Sequence, residues 1–198
     1  MKSKVIIYIV CIISLLIFSS CSVMIYDSVM YPLKYEEIII ENAKKNRLEP
    51  KLVASVINVE SSFREGVVSN KGAVGLMQIM PDTAKWLLES KMDIEYDKSV
   101  KMEELLKEPN LNIKIGCFYL NYLNEKFKDI QTVLFAYNAG EGNVISWLRD
   151  KKYSCDGKKL STSPFPEANN YVKKVNNNLK IYQNKIWKTY WQMNFLSL

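Results

Sequence analysis

Apolar residues recur along this chain at helical spacing almost throughout. The first stretch is continuous rather than periodic: Val5 to Tyr26 is a run of 22 residues without a charge. Tyr31-Pro32 marks a break, and Tyr35 to Lys45 reads as the first helix of the body. Pro50 suits the first turn of the next helix, where its missing N–H is no loss. Leu52, Val53, Val56 and Ile57 form that helix's apolar stripe. Residues 65–75 hold Gly66, Gly72 and Gly75 among small polar residues, which predicts a loop. Pro81-Asp82-Thr83 opens another helix through Leu88, and Leu111, Ile115, Phe118, Tyr119, Tyr122 and Leu123 stripe a long one. Thr132 to Asn138 and Asn143 to Leu148 predict short helices separated by Gly140 and Gly142. After a Pro164-Phe165-Pro166 elbow, Glu167 to about Trp191 is helical again. There is no alternating strand run and no internal repeat. The expected class is mostly α.

The charges flanking the apolar run set the compartment. Lys2 and Lys4 precede it and Asp27 follows it. At a rise of about 1.5 Å per residue it just crosses a hydrocarbon core of about 30 Å. Lysines before the span favour a cytoplasmic N-terminus and an external body. The expected organisation is an anchor over 1–26 and a functional domain over 27–198, at the cell membrane. Phe18-Ser19-Ser20-Cys21 resembles a bacterial lipobox, so a lipidated Cys21 is the alternative anchor, although Phe18 stands where Leu is usual. Both routes tether the body outside the membrane.

Composition narrows the chemistry. The 198 residues are 48% hydrophobic and 24% charged, which suits one domain with an appendage and excludes a disordered or collagen-like chain. Histidine is absent, which removes Ser-His and Cys-His nucleophiles and the commonest transition-metal ligand. Catalysis is left to carboxylates, Lys, Tyr, backbone amides or the substrate, and no metal or cofactor is expected. Cys117 and Cys155 are too few and too far apart for a zinc motif; one disulfide or two thiols both remain open. The net charge of +6 fits a solvated basic surface or attraction to an acidic polymer. Its scatter, with no accompanying motif, argues against nucleic acid.

Glu60 is the informative residue. It lies four residues after Val56 and seven after Val53, so it projects from the apolar face of its helix. A carboxylate facing a core is paired, hydrogen-bonded or neutral. Spacing allows a pair with Arg64; desolvation would instead raise the pKa and suit an acid that later acts as a base. Beyond it, Glu60-Ser61-Ser62-Phe63, Ser69 and Gly72-Ala73-Val74-Gly75-Leu76-Met77-Gln78-Ile79-Met80-Pro81 closely resemble the signature of the family 1 lytic transglycosylases. Ala136-Tyr137-Asn138-Ala139-Gly140 matches that family's second motif. Pro164-Phe165-Pro166-Glu167 with Tyr171-Val172 resembles its third, with Ala168 where Thr is more usual.

That resemblance spans about Tyr35 to Tyr182 and implies a lysozyme-like, mostly α domain with a saccharide groove. It implies Glu60 as the catalytic residue and Ser69, Gln78, Tyr137, Asn138, Glu167 and Tyr171 as substrate-binding residues. The implied partner is the peptidoglycan glycan strand, cleaved between N-acetylmuramic acid and N-acetylglucosamine with formation of a 1,6-anhydro ring. Glu65 and Asp82 read as loop and helix-start charges, so a single carboxylate would serve. Gly72 and Gly75 either let backbone approach a sugar or simply turn the chain. Trp187 and Trp191 are candidates to extend a glycan platform. The rivals are a hydrolytic muramidase on the same fold and an idle peptidoglycan-binding scaffold.

Overall fold

The computed structural model describes residues 2–195, with side chains described for 12–22 and 24–186. Nine helices occur among these residues: α1 Lys2–Met30, α2 Glu36–Lys45, α3 Pro50–Ser61, α4 Pro81–Ser90, α5 Met102–Leu105, α6 Pro109–Phe127, α7 Ile130–Ala139, α8 Glu141–Leu148 and α9 Pro166–Phe195. The mostly α expectation is met, with most boundaries within a few residues. The short α5 has no stripe of its own and escaped the pattern. No extended strand forms among the described residues; Val68 pairs with Val74 and Val74 with Ile79 as isolated antiparallel bridges.

Local chemistry explains the starts and stops. Pro50, Pro81 and Pro109 occupy first-turn positions of α3, α4 and α6. Glu108 caps α6 by accepting from Asn110 N at 3.0 Å and Leu111 N at 2.6 Å. Asp129 caps α7 by accepting from Thr132 N at 3.0 Å and Thr132 Oγ1 at 2.7 Å. Gly140 ends α7 with φ 86.

α3 packs along α9, α7 bridges α6 and α9, and α2 leans on α3 and α6. Their inward faces form one core that includes Val53, Val56, Ile57, Ile115, Leu120, Leu134, Val175 and Tyr182. α1 stands apart. Its side chains from Ile12 to Met30 are exposed almost throughout, and Ile12–Met30 is long and apolar enough to cross a membrane. Near its end, the Asp27 carboxylate pairs with Lys185 of α9 at 2.6 Å. Cys117 is buried and Cys155 exposed, and both are free thiols.

Candidate active site

Glu60 leaves the last turn of α3, above the fully buried Val53 and Val56. The helix is stopped abruptly behind it. Ser62 and Phe63 both turn left-handed, with φ 53 and 60, and Phe63 drops into the core against Tyr182 at 6.0 Å. Two consecutive non-glycine residues in that region are uncommon and need surrounding contacts to hold them. Ser61 provides one, its Oγ donating to Leu76 O at 2.8 Å and so fastening the end of α3 to the 65–80 loop.

The Glu60 carboxyl is thereby kept in a water-poor position. Burial is the main reason its pKa is pushed from 4.5 up to about 7. The Tyr171 hydroxyl opposes that rise by stabilising the charge, and the negative charge of Glu167 adds to it. Arg64 gives no relief: its Nε donates to Ser61 O at 3.0 Å, and the ion pair that the spacing allows is not formed among the described residues.

Two tyrosines face the carboxylate from different helices. Tyr137, on α7, feels its charge and donates its hydroxyl to Met77 O at 2.8 Å. Tyr171, on α9, is buried and close enough to stabilise the charge, yet its Oη lies outside hydrogen-bonding geometry and has no formed partner. Burial and the nearby carboxylate both hold these phenols well above their ordinary pKa.

The loop residues are engaged differently. Gln78 takes φ 48, and its Nε2 donates to Val67 O at 3.0 Å and Gly75 O at 2.9 Å, leaving Oε1 as its acceptor. Ser69 Oγ accepts from Ala73 N at 3.0 Å. Asn138 is half-buried near the end of α7. Glu167 is exposed in the first turn of α9 and pairs with Lys71 at 3.1 Å, linking α9 to the loop. Ala168, next to it, is fully in the core, where a methyl fits. Asp82 and Glu65 are exposed, Asp82 in the first turn of α4. The side chains of Trp187 and Trp191 lie outside the described residues.

Sequence reasoning missed the residue that holds the loop in place. Asn112 of α6 is fully buried; its Nδ2 donates to Val74 O at 2.9 Å and Leu106 O at 2.8 Å, and its Oδ1 accepts from Met77 N at 2.8 Å. The available signal was the one that exposed Glu60, a polar side chain at a core register, here three and four residues before Ile115 and Gly116. Gly75 exists for this contact rather than for a sugar: with φ 81, a Cβ there would lie 2.2 Å from Asn112 Nδ2 and 2.4 Å from Leu106 O. Gly72 has φ 85 and open space around it, so it serves the turn.

Residues 37–160 match the family described as the transglycosylase SLT domain. The chain is 33% identical over 147 residues to the soluble lytic murein transglycosylase of Salmonella typhimurium, covering 73% of this chain and 22% of that protein. It is 30% identical over 174 residues to the membrane-bound lytic murein transglycosylase C of Haemophilus ducreyi, covering 76% of this chain and 46% of the relative. Among solved structures, an inactive mutant of the lytic transglycosylase Slt from Pseudomonas aeruginosa superposes with a TM-score of 0.69 at 28% identity, over 81% of this chain and 25% of that one. The chain thus spans between a fifth and a half of the length of these relatives. It belongs to the transglycosylase SLT family, and its fold is the lysozyme-like, mostly α fold of that family.

Proposed function

We propose that this protein is a peptidoglycan lytic transglycosylase in which Glu60 acts first as acid and then as base. The observation that carries this reading is the Glu60 carboxyl, raised by burial to about 7, on a domain of the transglycosylase family. At neutral pH about half of such groups are protonated, so both required states are accessible. The protonated carboxyl gives its proton to the glycosidic oxygen as the bond to the muramyl C1 breaks. The muramyl N-acetyl carbonyl stabilises the developing positive charge at C1. Glu60, now ionised, takes the proton from the C6 hydroxyl as O6 bonds to C1. Glu60 ends protonated, as it began, and no water is consumed.

The neighbouring groups fit this cycle. Tyr171 Oη is a buried donor positioned to steady the carboxylate once its proton has gone. The charge of Glu167 favours the protonated state before reaction. Ring closure competes with water through proximity: well-oriented intramolecular groups reach effective molarities of about 10⁵–10⁸ M. Ser69, Gln78, Tyr137 and Asn138 are assigned to the saccharide groove, Gln78 through Oε1 and the others through the surface they shape around Glu60.

The same proposal places residues 27–198 as the catalytic domain outside the cell membrane, with 1–26 as a single anchor. Support comes from the exposed apolar span Ile12–Met30 and from the ion pair that ties Asp27, near its end, to Lys185 of the body. The test is mass spectrometry of muropeptides released from purified sacculi by the detergent-solubilised full chain, beside Glu60→Gln. Products one water lighter than hydrolysis products, absent with the variant, are expected. Hydrated products lost with the variant would instead make this a muramidase. Binding without release by either protein would point to a scaffold.

A further inference from the structure

The basic residues are scattered along the chain, but their excess over the acidic ones is not. Of 27 Lys and Arg and 21 Asp and Glu, residues 149–185 hold nine and three, which leaves eighteen of each elsewhere. The whole net charge of +6 therefore sits in this one stretch. Its densest part is the connection between α8 and α9, where Arg149, Lys151, Lys152, Lys158 and Lys159 are all exposed. None of the five pairs with a carboxylate among the described residues.

The two acids of this loop are spent on its own turns. Asp150 Oδ1 accepts from Lys152 N at 2.8 Å, and Asp156 Oδ1 accepts from Lys158 N at 2.8 Å and Lys159 N at 2.9 Å. The loop is also pinned to the body. Leu160 N donates to Thr132 Oγ1 at 2.9 Å, Gln131 Nε2 donates to Leu160 O at 2.8 Å, and Ser161 N donates to Tyr153 O at 2.9 Å. Open hollows lie on either side. One, of about 600 Å³, has Arg149 and Lys151 in its wall; the other, of about 340 Å³, has Thr162, Lys173 and Asn176.

The place of this surface in the fold limits what it can meet. At the loop end of α9, Asn169 Oδ1 accepts from Thr162 Oγ1 at 3.0 Å and Ser163 N at 2.9 Å. At the other end, Lys185 pairs with Asp27 of α1. Sixteen helical residues separate the two contacts by about 24 Å, so the loop lies at the end of the body away from α1. It also adjoins the site. The Trp147 ring of α8 meets Phe165 of the elbow edge-on at 5.0 Å, and Glu167, two residues on, pairs with Lys71 beside the groove.

We infer that the 149–160 loop is an exosite for peptidoglycan, which holds the carboxylates of its stem peptides while a glycan strand lies in the groove at Glu60. The inference rests on the proposed peptidoglycan substrate and on α1 as the membrane span. Stem peptides present carboxylates along each strand and on its neighbours, and unpaired cations around open hollows suit such spread charge better than one enclosed anion. Facing away from α1, the loop meets the wall rather than lipid.

The experiment is co-sedimentation of the detergent-solubilised full chain with purified sacculi freed of phosphodiester-linked polymers by hydrofluoric acid. Lys151→Gln/Lys152→Gln/Lys158→Gln/Lys159→Gln should weaken binding about tenfold and remove most of its salt dependence. Lys34→Gln/Lys85→Gln/Lys98→Gln/Lys101→Gln takes the same charge from exposed positions elsewhere and should weaken binding less than about twofold. Amidation of the sacculus carboxylates should bring the unmutated protein down to the level of the loop variant. Equal losses in the two variants, or undiminished binding by the loop variant, would overturn the inference. So would binding that appears only when the phosphodiester polymers are left in place. Muropeptide release is scored on the same samples, and loop-dependent binding without release would overturn the transglycosylase reading while the exosite stands.

Discussion

The two walls beside Glu60 are built on opposite terms. On the loop side, polar atoms are spent on the protein: Gln78 Nε2, Ser69 Oγ, Tyr137 Oη and all of the Asn112 amide bind backbone. On the α9 side, polar atoms are held in reserve. Tyr171 Oη is buried with no formed partner, and Glu167 is exposed with only a surface ion pair to Lys71. A buried hydroxyl without a partner is a standing penalty of about 1–3 kcal/mol, tolerated where function uses the group. The satisfied wall gives the carboxyl its shape and dryness; the unsatisfied wall responds to its charge.

If that division is right, the largest effect on stability belongs to the loop wall. Asn112→Ala strands Met77 N and the Leu106 carbonyl, leaves the Val74 carbonyl only its bond from Ile79 N, and opens a small void, and should cost about 3–5 kcal/mol in urea denaturation. A cost within about 0.5 kcal/mol would mean that water replaces it and the wall is not wired as described.

The next effect comes from Glu60 itself. Its pKa is raised in the folded state, so the folded protein binds more protons than the unfolded chain between pH 4.5 and about 7. Stability should therefore fall as pH rises through that window and then level off. After allowance for the solvent that reaches the group, the loss is about 2 kcal/mol. Glu60→Gln should flatten the curve and be the more stable protein above the window, measured by thermal or urea unfolding against pH. An unchanged pH dependence would show that the carboxyl is not desolvated.

Tyr171→Phe sharpens the contrast between the walls. Removing an unpartnered hydroxyl should leave stability equal or slightly higher, while activity on sacculi falls about tenfold. The alkaline limb of the pH–rate profile should move up, because Tyr171 lowers the Glu60 pKa. A stability loss like that of Asn112→Ala would place Tyr171 on the structural wall instead. The smallest effect is expected from Glu167→Gln, which removes a charge that raises the Glu60 pKa: the same limb should move down, with stability unchanged. A shift in the opposite direction would mean that the charge of Glu167 does not act on Glu60.

These contrasts also mark where the sequence was legible. Helices with a clear stripe or a first-turn proline, such as α3 and α6, could be drawn from periodicity and punctuation alone. Glu60 stood out because one helix sufficed to show a charge on an apolar face. The loop wall was harder, since its bonds join residues 35 and 38 positions apart, and nothing local tells that an asparagine on α6 will meet Met77 and Val74. The motif residues Gln78 and Ser69 were singled out only by resemblance, and their use as braces depends on backbone geometry that a side-chain pattern does not encode. Gly72 and Gly75 looked equivalent and are not; only packing separates a free turn from a contact with Asn112. The pair of Glu60 with Arg64 was legible and did not form, because Arg64 turns back to donate to Ser61 O at the end of α3.

The most direct measurement is the titration of the Glu60 carboxyl by carbon NMR in selectively labelled full-length protein, assigned by the signal missing from Glu60→Gln. A midpoint near 7, matching the alkaline limb of the rate profile, is the expected result. A midpoint near 4.5 would mean a solvated carboxylate, and Glu60 could not then be the acid that starts the reaction.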